Sequence, residues 1–173
     1  MASTGRLGHD VRMHFRHELA YEAAPSEVFA MLADPAFREK VSESLGVVSH
    51  DVTLTPTGDG FVLVNDQVQR TEGLPSFAKK FTGDTTRAIQ REEWADQSGG
   101  TLVVEAPGKP SDIRGSITLE PTGAGTTEVV ELDVRVKVPL LGGRLEGLLA
   151  DQLRQGIDTE HQVGRAWLAG DRA

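Results

Sequence analysis

Residues 126–168 read TTEVVELDVRVKVPLLGGRLEGLLADQLRQGIDTEHQVGRAWL, and two periodicities meet inside this stretch. Up to Val138 the period is two: Val130, Leu132, Val134, Val136 and Val138 alternate with Glu131, Asp133, Arg135 and Lys137. Such alternation predicts an antiparallel strand with one face on a core and the other in water. Past Gly142 the spacing turns helical, and Leu145, Leu148, Leu149, Leu153, Ile157 and Trp167 make one stripe of a helix that runs to Leu168. A helix of that length spans about 40 Å, enough to cover a whole sheet face. Gly156 and Gly164 interrupt it, at about 1 kcal/mol each against Ala. Close approach of a ligand or strand to the helix, and a helix kink, are both open readings of these glycines.

Working back from this stretch, strand patterns cover 112–119, 101–106 and 85–94, with Pro107-Gly108 and Gly99-Gly100 between them. Two more, 61–70 and a strand carrying Val48, His50, Val52 and Leu54, flank the turn Pro56–Gly60. In 61–70 the valine-rich face, Val62, Val64, Asp66, Val68 and Arg70, is read as one side. The first strand, 13–21, sets Phe15, His17, Leu19 and Tyr21 on one face. Pro25-Ser26 and Asp34-Pro35 start two short helices, the second of which ends at Gly46. The order is strand, two short helices, six strands, long helix. Sequential strands with short turns favour antiparallel pairing. The fold class is therefore α+β: a seven-stranded curved antiparallel sheet gripping a long C-terminal helix. Aromatic residues are only 5% of the chain. A Val/Leu-lined sheet wrapped around one helix fits a cavity, and it fits a plain filled core equally well.

Composition narrows the partners. The chain has 173 residues and a net charge of −8, which disfavours nucleic acid and anionic membranes as main partners. There is no cysteine, which excludes disulfides and thiolate chemistry and suits a cytoplasmic protein. No apolar run is long enough to span a bilayer, so no stable membrane insertion is expected. Residues 1–12 read as a flexible polar tail, and Met13, where patterning begins, is an alternative start.

Three pieces of the chain carry a family resemblance. HELAYEAAPSEVFAMLADPAF (17–37) resembles the opening of the START/Bet v 1-like (SRPBCC, polyketide cyclase-like) superfamily, and VKVPLLGGRLEGLLADQLRQGID (136–158) resembles the start of its C-terminal helix. DQVQRTEGLPSFAKKFTGDTTR (66–87), together with EAPGKP (105–110), is similar to an uncharacterised actinobacterial family within it. The resemblance spans residues 13–170 and implies one START-like ligand-binding domain of helix-grip fold, with a cavity for a hydrophobic small molecule. It carries over no catalytic residue, because the superfamily includes carriers, sensors and enzymes.

Strict alternation places His17, His50, Asp66 and Arg70 on otherwise apolar strand faces. A buried charge needs a partner or water, so these four are candidate polar groups of a cavity, with strand ends reaching solvent as the plainer reading. Candidate apolar lining comprises Val64, Val68, Ile117, Leu132, Val134, Leu149, Leu153 and Ile157. In Gly73–Gly83, Leu74, Phe77, Ala78 and Phe81 follow helical spacing. A short amphipathic helix there is either a gate, with Leu74, Phe77 and Phe81 as its lid, or a packed connector. Glu160 and His161 sit beside the long helix's apolar stripe and face either pocket or water.

The five histidines have no metal-ligand spacing, and there is no phosphate-binding glycine loop or GxSxG elbow, so no metal or cofactor is expected. The leading expectation is a carrier or sensor for a lipid, isoprenoid or polyketide-like molecule, as monomer or homodimer. The alternatives are a cyclase/aromatase-type enzyme built on His17, His50, Asp66 and Arg70, and a protein-interaction module.

Overall fold

The computed structural model describes residues 12–173; the expected tail, 1–12, lies outside them but for Arg12. β1 (Met13–Tyr21) is followed by α1 (Pro25–Leu32) and α2 (Pro35–Ser44). Then come β2 (Ser49–Thr57), β3 (Gly60–Arg70), α3 (Ser76–Thr82), β4 (Thr85–Asp96), β5 (Gly99–Glu105), β6 (Ser111–Thr122), β7 (Gly125–Val136) and α4 (Gly142–Leu168). The seven strands form one sheet in the order β1-β7-β6-β5-β4-β3-β2, every neighbouring pair antiparallel. Consecutive hairpins build β2 to β7, and β1 returns from the far end of the chain to pair with β7, Phe15 opposite Leu132.

Local chemistry sets the helix ends. Pro25 and Pro35 open α1 and α2, where a missing N–H costs nothing. The Asp34 side chain accepts from Ala36 N–H at 2.9 Å, and Glu27 accepts from Ala24 N–H at 2.9 Å. Gly46, at φ +67°, ends α2 in the left-handed region that glycine enters without strain.

The core lies between the concave sheet face and the layer of α1, α2 and α4. Phe15, Leu19 and Tyr21 of β1 and Val130, Leu132, Val134 and Val136 of β7 are buried, the faces their alternation predicts. At one end the packing is close: the Phe37 and Trp167 rings meet edge to face at 5.6 Å. Gly164 is so near Tyr21 and Met31 that an added Cβ would stand 3.0–3.1 Å from their side chains. A second, smaller cluster joins α3 to the start of α4 through Ala78, Val136 and Leu145.

In β3 the structure corrects the sequence reading. The inward face is Phe61, Leu63, Asn65 and Gln67, all buried, while Val62, Val64, Asp66 and Val68 occupy the other face. Every second residue of a strand shares a face, so one wrong choice moves the whole set. Two polar residues, Asn65 and Gln67, make the inner face look like an outer one, and β-branched valines suit any strand surface.

Candidate functional site

A cavity of about 570 Å³ lies between the sheet and α4. The sheet supplies Leu102, Val104, Ile113, Ile117 and Val130 to its wall, and α4 supplies Leu145, Leu148, Leu149, Leu153 and Ile157. Gly156 also lines it, and a Cβ built there would meet nothing within 4 Å. The helix thus touches the sheet layer at Gly164 and stands clear of it at Gly156, two turns earlier.

One part of the wall is polar. Arg38 is the one buried cation among the described residues. It comes from α2, on the face next to Phe37, and reaches β4: Nη1 and Nη2 donate to the two Glu92 carboxylate oxygens at 3.2 and 2.8 Å, and Nε donates to Leu32 O at 2.7 Å. Glu92 also accepts from Trp94 Nε1 at 2.9 Å and from Gln90 Nε2 at 2.6 Å. Glu160 of α4 stands 3.6 Å from Arg38 Nη1. Burial works against the Arg38 charge, but Glu92 and Glu160 beside it hold the guanidinium above its ordinary value.

Glu128 of β7 completes the cluster. Burial first, then the charges of Glu160 and Glu92, push its carboxyl up to about 8 against the pull of Arg38. Burial likewise raises Glu160, with Arg38 opposing. The Tyr21 phenol is raised by burial and by Glu128 and Glu160. Arg38, Glu92, Glu128 and Glu160 all line the cavity, as do Asn65, Gln67 and Gln90. Asn65 Nδ2 donates to the buried Ser42 Oγ at 3.0 Å. Among the described residues, the buried side-chain atoms without a well-aligned hydrogen-bond partner are Tyr21 Oη, Asn65 Oδ1, Gln67 Oε1 and Glu128 Oε2, of which Tyr21 and Glu128 face each other and interact weakly. Such orphans are few in native proteins, and each calls for a ligand, a water or a chemical role.

The four polar candidates are not brought together. His17 joins β1 to α4 away from the cavity wall: Arg154 Nη1 donates to its Nδ1 at 3.0 Å, so Nε2 carries the proton and donates to Asp158 at 2.6 Å. His50 is half-buried on edge strand β2 and opposite Gln67, outside the cavity lining. Asp66, on the outer face, accepts from Arg87 Nε at 2.9 Å, a hydrogen bond that lowers its pKa. Arg70 is exposed at the cavity rim, 3.9 Å from Glu72.

Of the apolar candidates, Ile117, Leu149, Leu153 and Ile157 line the cavity. Leu132 and Val134 are buried in the core without lining it, and Val64 and Val68 lie on the opposite face. Leu74 and Phe81 line it too, whereas Phe77 packs in the α3–α4 cluster under the Arg144 guanidinium, 4.1 Å from its ring centroid. Glu160 lines the cavity, and His161 instead donates to Ala20 O at 2.7 Å.

Sequence reasoning missed Arg38, Glu92 and Glu128. Signals for two of them were present. Glu92 is two residues before Trp94, so a buried indole implies a buried carboxylate on the same strand face. Extending the β7 alternation back from Val130 puts Glu128 inside. Arg38, in a helix of mixed polarity, carries no such mark.

The same arrangement of sheet and helix occurs in solved structures. TTHA0849 from Thermus thermophilus superposes with a TM-score of 0.65 at 20% identity, over 93% of this chain and 100% of that one. The di-domain ARO/CYC StfQ from the steffimycin biosynthetic pathway gives 0.64 at 14% identity, over 92% of this chain and 51% of that one. These identities establish a shared Bet v 1-like helix-grip fold and nothing finer. In sequence, the chain is 23% identical over 120 residues to the uncharacterized protein Rv0481c of Mycobacterium tuberculosis (strain H37Rv), covering 65% of this chain and 69% of that protein. No helix among the described residues is long and apolar enough to cross a membrane. Residues 16–168 match the family described as "Protein of unknown function (DUF2505)", and the chain belongs to that family.

Proposed function

We propose that this chain binds a hydrophobic small molecule, such as a lipid, isoprenoid or polyketide-like compound, between the sheet and α4, and acts as its carrier or sensor. The observation that carries this reading is the void of about 570 Å³ flanked by Gly156 and the leucine stripe of α4. Ligand pockets fall in the range of about 300–1,000 Å³, mostly apolar with a few converging polar groups. In this reading α3 is the gate. Leu74 and Phe81 reach the cavity, and Phe77 anchors the segment against α4. The direct experiment is native mass spectrometry of the purified protein, followed by extraction and identification of what it carries. A bound apolar molecule supports the reading. Protein that stays ligand-free and binds no environment-sensitive apolar dye overturns it.

A second reading has its own observation. Glu128 is a buried carboxyl raised to about 8, beside Tyr21, in a cavity, which is the form a general acid takes near neutral pH. A cyclase-type activity would rest on Glu128 and Tyr21, not on His17, His50, Asp66 and Arg70, whose side chains diverge. Turnover of a polyketide-like substrate that is lost in Glu128→Gln would favour it over simple carriage.

A further inference from the structure

The polar end of the cavity has more carboxyl groups than cations. Three carboxyl groups, from Glu92, Glu128 and Glu160, share the single charge of Arg38, whose two terminal nitrogens each give one N–H to Glu92. Glu160 gets only the distant 3.6 Å contact with Arg38, and Glu128 Oε2 has no cation, its one polar neighbour being the Tyr21 phenol, too poorly aligned for a full hydrogen bond. Two further acceptors, Asn65 Oδ1 and Gln67 Oε1, are orphaned along the same cavity wall. All three orphan-bearing acceptor residues are more than nine-tenths buried. A buried carboxylate is costly to ionise without a cation, so Glu128 keeps its proton up to about pH 8, and among the described residues no second cation is buried beside it. Gly156 adjoins this end: it is four residues from Glu160, hence one turn away on the same helix face, and its missing side chain leaves open space.

We propose that the guest of this cavity carries a protonated amine, seated between Glu128 and Glu160, with its apolar body along Leu149, Leu153 and Ile157. The inference rests on the reading that the cavity holds an apolar molecule, and it names that molecule's polar head. An ammonium supplies the missing cation and up to three donors, which match carboxylate and amide oxygens. Above about pH 8, with Glu128 ionised, a carboxylate-headed guest would add a fourth negative charge around one guanidinium. A neutral alcohol would satisfy one orphan and leave the charge imbalance in place.

Decylamine, decanol and decanoate, which share one chain and differ in the head, separate these cases by competition against a bound apolar dye. At about pH 9 decylamine should bind at least about tenfold more tightly than decanol, with decanoate weakest. Below about pH 8 the amine's affinity should fall by up to tenfold per pH unit, because Glu128 must lose its proton to pair with the ammonium, while decanol's stays flat. Facing Glu128 are Tyr21 from β1, Arg38 from α2, Glu92 from β4 and Glu160 from α4. Glu128→Gln, checked by thermal unfolding to be folded, should collapse the amine-to-alcohol ratio and remove the pH slope. Decanol equal to the amine, decanoate tightest, or a ratio that persists in Glu128→Gln would each overturn the amine assignment and leave cavity binding standing. A bound dye that none of the three displaces would overturn the amine assignment alone, whereas a protein that binds no dye would sink both readings together.

Discussion

The two halves of α4 meet the sheet on different terms. Toward its C-terminus, Trp167 packs on Phe37 and Gly164 lets Tyr21 and Met31 come within contact of the helix backbone. Toward its N-terminus, Leu145 to Ile157 face a void, and Gly156 has no neighbour where a side chain would be. Both glycines cost helix propensity, and only one repays it in packing. The closed half holds the fold together, and the open half leaves a void against the sheet. The Arg38–Glu92 pair stands at the boundary between them, fully partnered on the closed side, while Glu128 and Glu160 remain short of partners on the open side.

This contrast can be broken or sharpened by substitution, in falling order of effect. Arg38→Met leaves Glu92 buried without its cation and should destabilise by about 3–5 kcal/mol in urea or thermal unfolding. A loss below about 1 kcal/mol would mean that the boundary pair is not holding the closed half.

Glu128→Gln should do the opposite. The folded carboxyl titrates near 8 and the unfolded one near 4.5. A raised acid keeps its proton in the fold, so the wild type loses stability as pH rises from about 4.5 to 8, and the loss is complete above 8. The variant should match wild type near pH 4.5 and exceed it by about 2–4 kcal/mol above pH 8. A flat difference across that window would show that Glu128 ionises freely.

Next come the glycines. Gly164→Leu must push side chains into Tyr21 and Met31 and should cost about 1–3 kcal/mol. Gly156→Ala adds a methyl to empty space and should stabilise by up to about 1 kcal/mol through helix propensity, the smallest shift of the four. Equal effects at the two positions, read from unfolding midpoints, would erase the distinction between the halves.

The strand and helix order was legible because it rests on alternation and helical spacing. β7, with its valines and leucine against alternating charges, reads without ambiguity, as does the α4 stripe. The α3 helix was visible in the spacing of Leu74, Phe77, Ala78 and Phe81. The site was much less legible, for a physical reason: a cavity wall that is polar in one part violates the apolar-inside rule on which face assignment depends. Asn65 and Gln67 line the pocket and so disguised the inner face of β3, while Val64 and Val68 imitated it from outside. Glu128 was hidden the same way, at the end of a strand read only from its apolar residues. Arg38 meets Glu92 across a sequence separation of 54 residues, a pairing set by the fold and unmarked by any local pattern.

The chain's two indoles, Trp94 and Trp167, are both buried, and neither lines the cavity. Their ultraviolet emission therefore tracks whether the closed half is intact, not whether the pocket is filled. Trp94 adds a second channel, since its ring nitrogen is tethered to the carboxylate that grips Arg38. Light from this protein should thus register a loosened latch well before it registers a passenger.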